Sequence, residues 1–177
     1  MANMVFIATS LDGYIARVDG SIDWLTRFTD PDGSDYGFSE FMSRVDCLLM
    51  GRLTFESVLA FPEWPYKDKP VFVLSRSLKA LPEAFKGRAE IVSGPLPALV
   101  TALGARSYKN IYVDGGATIR SLLAEDLIDE ITISRVPVLL GAGRPLFGPA
   151  HAELAFRHLG TEVFRDGLIK SRYSRAR

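Results

Sequence analysis

Residues 111–136 read IYVDGGATIRSLLAEDLIDEITISRV, and the changing period within them decides the fold class. Ile111-Tyr112-Val113 is a short extended run. Asp114-Gly115-Gly116-Ala117-Thr118 breaks it, and Ile119, Leu122 and Leu123 then fall on one helical face. From Glu130 to Val136 apolar and polar side chains alternate, as in a half-exposed strand. A strand, a helix and a second strand in about 25 residues match a right-handed parallel crossover.

The same alternation recurs on the N-terminal side. Met4 to Thr9 is a strand that stops at Ser10-Leu11-Asp12-Gly13, a turn, before Tyr14-Ile15-Ala16 resumes an extended pattern. Ser21 to Gly37 is rich in Asp, Gly, Ser and Pro and reads as a long loop with at most one helical turn. Phe38, Phe41, Met42 and Val45 mark a helix, and Cys47 to Met50 a buried strand. Phe55, Val58 and Leu59 mark another helix, ended by Phe61-Pro62. Val71 to Leu74 and Ile91-Val92 are strands, followed by a helix through Leu96, Leu99, Val100 and Leu103 that ends at Gly104. On the C-terminal side, Phe156 to Phe164 and Leu168 to Tyr173 are extended runs meeting at Asp166-Gly167, a hairpin signal. The expected architecture is one α/β domain over residues 1–177: a mostly parallel central sheet, helices on both faces and an antiparallel C-terminal hairpin.

Composition narrows the function. The 177 residues are 47% hydrophobic and 24% charged, proportions of a folded domain and not of a disordered one. Lys plus Arg and Asp plus Glu both total 21, so nucleic acid is not an expected partner. A lone Cys47 supports neither a disulfide framework nor a zinc site and suits a reducing cytoplasm. No apolar run approaches a membrane span, and no basic-then-apolar leader opens the chain. His151 and His158 stand outside metal-like spacing and read as surface residues.

In such a sheet, ligands bind beyond the carboxyl ends of the parallel strands. Three strand-to-helix junctions carry suitable chemistry. Asp114-Gly115-Gly116-Ala117-Thr118 puts two glycines at a helix start, either a bare tight turn or a phosphate cradle. Met50-Gly51-Arg52-Leu53-Thr54 adds a guanidinium and a hydroxyl, and Leu74-Ser75-Arg76-Ser77 a second Arg between hydroxyls. Together they suit a ligand with several phosphates, such as a dinucleotide bearing a 2′-phosphate. The ordinary dinucleotide fingerprint is missing, because Gly141-Ala142-Gly143 runs into Arg144-Pro145. A P-loop and a nucleophile elbow are missing as well.

Ser10-Leu11-Asp12-Gly13-Tyr14-Ile15-Ala16, Asp23-Trp24-Leu25, Met50 to Ser57 and Val113 to Ala117 resemble, in this order, the dihydrofolate reductase superfamily. The match is nearest its riboflavin-biosynthesis reductase branch, the C-terminal domain of a bifunctional deaminase-reductase. The resemblance implies a three-layer reductase domain that binds NADPH and passes hydride to a small heterocyclic or ribosylamino-pyrimidine-like substrate, in the manner of 5-amino-6-(5-phosphoribosylamino)uracil reductase. By position it assigns Gly51, Arg52 and Thr54 to cofactor phosphates and Leu74, Ser75 and Arg76 to the 2′-phosphate end. Gly115, Gly116, Ala117 and Thr118 would cradle the pyrophosphate, and Ala8, Ile15 and Ala16 would line the nicotinamide pocket.

Asp12 is the implied acid, to orient substrate or relay a proton, although Asp-Gly is also simply a good turn. Trp24 stacks on a substrate ring or plugs its loop onto the core, and Tyr36 and Ser134 are candidate donors to substrate. A dihydrofolate reductase carries an acid on its first helix, where Gly37 or a neighbour stands here. That leaves two alternatives: dihydrofolate reduction itself, or a nucleotide-binding module of this fold without catalysis. The resemblance also implies a homodimer. No metal is expected.

Overall fold

The computed structural model describes residues 1–148 and 153–177; His151 lies outside the described residues. The chain runs through β1 (Ala2–Thr9), β2 (Tyr14–Ala16), α1 (Asp23–Thr26), α2 (Phe38–Arg44), β3 (Cys47–Gly51), α3 (Arg52–Leu59), β4 (Val71–Leu74) and β5 (Ala89–Val92). It continues with α4 (Leu96–Ala105), β6 (Asn110–Asp114), α5 (Gly116–Ala124), β7 (Glu130–Arg135), β8 (Arg144–Pro145), β9 (Phe156–Val163) and β10 (Ile169–Arg175).

Eight strands form one sheet in the order β5-β4-β3-β6-β1-β7-β10-β9. The first six are mutually parallel, and β10 runs antiparallel to both β7 and β9. The crossover read from residues 111–136 is present, but its strands are not neighbours: β1 lies between them, with Met4 opposite both Tyr112 and Glu130. A separate ribbon of β2 with β8 was not legible beforehand, since a two-residue strand containing Pro145 has no period to detect.

Alternate side chains of the buried strands feed two cores, as both faces of a parallel sheet must be covered. Leu48, Met50, Val71, Val73 and Tyr112 meet Phe41 and Val45 from α2 and its end and Phe55 and Val58 of α3. On the other face Leu49, Phe72, Ile111 and Val113 meet Val100 and Leu103 of α4 and Ile119 and Leu122 of α5. The three layers are those of the dihydrofolate reductase-like fold. Among the described residues no helix is long and apolar enough to cross a membrane.

This layering sets the position of the site. Strand β3 leads into α3 on one face, whereas its neighbour β6 leads into α5 on the other. The two connections part at the strand ends, the switch point at which open α/β sheets form their ligand crevice.

Candidate functional site

The three junctions chosen for phosphate chemistry converge, because their strands are adjacent and in register. Gly51 stands opposite Leu74, and Met50 opposite Asp114. From β4 to β1 the strand ends run in the order Ser75-Arg76, Gly51-Arg52, Gly115-Gly116 and Ala8. With strands about 4.8 Å apart, this line spans roughly 14 Å.

At its centre the two helix starts pack closely on one another, Gly51 and Gly115 half-buried and Gly116 buried. Gly115 has φ +89°, and a Cβ there would land inside the contact radius of Thr54 Oγ1 and 3.2 Å from Thr54 Cβ. Reciprocally, a Cβ on Gly51 would lie 3.0 Å from Thr118 Oγ1. Each helix start thus packs against a hydroxyl-bearing residue of the other. Neither α3 nor α5 has a side-chain cap, so the first-turn N–H groups of both have no partner in their own helices. Two uncapped helix N-termini at one switch point have the chemistry that suits an anion. Arg52 pairs with exposed Glu56 at 2.9 Å, an interaction weak enough to be exchanged for a phosphate. Arg76 is exposed at the β4 end, where Ser75 Oγ accepts from the Ser77 and Leu78 N–H groups and orders the turn.

Ile15 links the junction to the next part of the site. Its Cδ1 lies 2.6 Å from where a Cβ of Gly116 would stand, so β2 crosses the start of α5. Ala16 is buried beside it, with its carbonyl against Gly143. Ala8, in β1, is half-buried and packs into a third cluster with Trp24, Val136 and Leu168.

The proposed substrate residues meet different fates. Trp24 is 2% exposed and has no free face for stacking; it plugs the loop onto the core, and its Nε1 is left without an acceptor. Ser134, 4% exposed, stands opposite Ala8 and also has a hydroxyl without a partner. Two orphaned buried polar groups around one alanine are costly unless something is bound there. Tyr36 has φ +56° and donates its hydroxyl to Asp166 in the β9–β10 turn, at 2.5 Å. Burial, aided by Asp166, pushes this phenol up to about 12, so it stays protonated.

Asp12 is bound on both oxygens. It accepts from Ser10 Oγ at 2.5 Å, from the Leu140 N–H at 3.2 Å and from the Gly141 N–H at 2.8 Å. The Ser10 bond, with the two N–H groups, holds its carboxyl below the usual range. Asp12 therefore latches the β1–β2 turn to residues 140–141 as a carboxylate.

Sequence reasoning gave Asp114 no role beyond its turn. In the structure it closes β6 beside the crevice, accepting from Tyr66 Oη at 2.9 Å and from the Gly115 N–H at 2.8 Å. Burial outweighs these bonds and raises its carboxyl above the ordinary value. Tyr112, on the same face of β6, donates to the Phe6 carbonyl at 2.9 Å and ties this corner to β1. Buried Cys47 has its thiol pushed up to about 12 by desolvation and offers no nucleophile. His158 is exposed, as expected, 2.8 Å from Thr161 Oγ1. Among the described residues no group of His, Cys, Asp and Glu is arranged to hold a metal ion.

Residues 3–170 match the profile of the RibD C-terminal domain. The uncharacterized protein YwjB of Bacillus subtilis (strain 168) is 37% identical over 176 residues, covering 98% of this chain and 97% of YwjB. A protein of Shewanella sp. PV-4, provisionally named a riboflavin biosynthesis protein, is 47% identical with a TM-score of 0.95 over the whole of both chains. A dihydrofolate reductase of Enterococcus faecalis, solved with NADP(H), shares the fold alone: 14% identity and a TM-score of 0.66 over 99% of this chain and 97% of that one.

Proposed function

The chain belongs to the RibD C-terminal domain family, and we propose that it is an NADPH-dependent reductase of a small heterocyclic or ribosylamino-pyrimidine-like substrate. The observation that carries this reading is the alignment of three phosphate-suited junctions along one sheet end, with two uncapped helix starts facing a glycine-lined crevice. The donor set fits the cofactor. Ser75 and Arg76 take the 2′-phosphate, and Leu74 flanks it. Gly51, Arg52, Thr54 and the Gly115, Gly116, Ala117 and Thr118 backbone take the pyrophosphate, while Ala8, Ile15 and Ala16 border the nicotinamide.

Bound NADPH supplies a hydride. The chain's own contribution is position and proton. Ser134 offers a hydroxyl that is otherwise unsatisfied opposite Ala8, and a carbonyl or amide of the substrate gives it a partner, while Trp24 holds its loop to the core. Tyr36 fixes the loop over that place through Asp166. Asp12, held as a carboxylate, orients the β1–β2 turn and does not relay the proton. Asp114 is the better proton holder: its carboxyl is raised by burial, and it stands one strand from β1.

Dihydrofolate reduction has less support, because position 37 carries no acid and an ammonium, that of Lys170, lies beside it. A silent nucleotide-binding module leaves the raised carboxyl of Asp114 without a use. The reaction is assigned to the cytoplasm, in keeping with the free Cys47 thiol. A homodimer through the outer hairpin accords with exposed Leu159, Val163 and Ile169.

Deuteride transfer from labelled NADPH to pterin, pyrimidine-ribitylamine and simple imine acceptors, read by mass spectrometry, tests the reading. Label in a pyrimidine-type acceptor supports it. Label in dihydrofolate alone favours the first alternative, and no label in any acceptor despite bound NADPH favours the second.

A further inference from the structure

Beyond Ala8 the sheet carries a graded row of side chains on the α2 face. Ala8 stands opposite Ser134, Ser134 opposite Lys170, and Lys170 opposite Glu162. Two residues along on the same face, Phe6, Thr132, Arg172 and Gly160 form a second row. Between these rows and α2 lies a cleft of about 280 Å³, walled by Phe6, Phe41, Arg44, Thr132, Lys170 and Arg172.

Lys170 is the deepest of its charges. Its side chain is only 11% exposed; its Nζ donates to the Tyr36 carbonyl at 2.9 Å and lies 5.1 Å from the centre of the Phe164 ring. Its one carboxylate partner among the described residues, Glu162 at 2.8 Å, projects from the edge strand and is 58% exposed, free to turn into water. Glycine clears the space at Lys170, and Arg172 beside it is exposed. A Cβ on Gly37 would lie 2.8 Å from Lys170 Nζ, and one on Gly160 would stand 3.8 Å from Arg172 Nη2. Arg172 makes no ion pair among the described residues. Arg44 is occupied by both oxygens of Glu130, and Glu40 of α2 opposes the cations from the far wall.

We propose that this cleft binds an oxyanion of the hydride acceptor, a phosphate monoester or a carboxylate, through Lys170 and Arg172. The identity of the ligand as the acceptor rests on the reductase reading; the anion site itself does not. Ala8 and Lys170 are two strand spacings apart, so the acidic group sits about 10 Å from the part of the acceptor lying over Ala8. Lys170 is then a specificity-determining residue. It exchanges Glu162 for the ligand, Arg172 adds a second charged bond, and the Ser134 hydroxyl lies between acceptor and anion.

The test is calorimetric titration of the full chain with ribose 5-phosphate, ribonate and ribose, with and without saturating NADP⁺. The variants are Lys170→Met, Arg172→Gln and, as a control for the cofactor crevice, Arg76→Ala. The expected result is binding of an anionic sugar and not of ribose, weakened about tenfold or more by Lys170→Met and by Arg172→Gln but unchanged by Arg76→Ala. Ribose 5-phosphate alone identifies a phosphate site, and equal binding of ribonate a carboxylate-tolerant one. If Lys170→Met does not fold, exposed Arg172→Gln decides. Failure of both anions to bind, or binding indifferent to Lys170 and Arg172, overturns the proposal. NADP⁺ that fails to bind while the anion still does refutes the reductase reading and leaves the cleft standing.

Discussion

Replacing Gly115 by alanine tests the crevice at its narrowest point. The residue has φ +89° and ψ 129°, a conformation open to glycine and costly for any other residue, by about 1–3 kcal/mol. The added methyl also meets Thr54 Oγ1 and lies 3.2 Å from Thr54 Cβ, in a wall formed by α3. Overpacking of this kind costs about 1–3 kcal/mol more. The two terms give a loss of roughly 2–6 kcal/mol, a large part of the ~5–15 kcal/mol that holds a domain together. A double-mutant cycle separates them. Thr54→Ala removes the obstructing hydroxyl and methyl and leaves only the Cβ contact, so Gly115→Ala in that background recovers most of the packing part and keeps the conformational part. Urea unfolding of the four proteins gives the coupling directly. A single substitution costing under about 0.5 kcal/mol, or a cycle with no coupling, refutes the cross-packing of α3 and α5.

Three further outcomes are expected. Arg76→Ala weakens NADPH by about 1.5–3 kcal/mol, roughly 10- to 150-fold in Kd, and NADH far less; equal losses for both remove the 2′-phosphate role. Asp12→Asn lowers stability at neutral pH but spares the shape of the pH–rate profile. Its folded-state pKa lies below the ordinary 3.8, so its contribution is present above that value and fades as pH falls through the folded one; an Asn variant as stable as wild type at pH 7 contradicts the latch. Asp114→Asn shifts in the other sense. A carboxyl raised by burial keeps its proton at low pH and loses it as pH rises, so the wild-type rate declines through that pKa and the variant is slow throughout. A variant with wild-type kcat and the same declining limb assigns the proton elsewhere.

The sheet was readable because its strands are apolar runs and its helices keep one apolar face, signals that lie within ten residues of one another. The convergence of the junctions at Gly51, Leu74 and Gly115 rests on the pairing of β3 with both β4 and β6, a strand order that element order does not reveal. What escaped notice depends on contacts between distant parts of the chain. Lys170 reaches the Tyr36 carbonyl across 134 positions, and Asp114 accepts from the Tyr66 hydroxyl, 48 positions away. Trp24 is the instructive case, since a lone tryptophan in a polar loop has the same local sequence whether it stacks on a ligand or plugs a core. Asp12 likewise sits in an Asp-Gly turn whose partners, the N–H groups of Leu140 and Gly141, come from 128 and 129 positions downstream.

The central claim is that the crevice between β3 and β6 is a cofactor site, and parallel titrations with NADPH and NADH test it most directly. Energy transfer from the protein's tryptophans, Trp24 and Trp64, to the reduced nicotinamide reports binding. Saturable transfer with NADPH at concentrations well below those needed for NADH is the predicted result. Absence of saturable binding by either nucleotide contradicts the account and reduces the three junctions to turns.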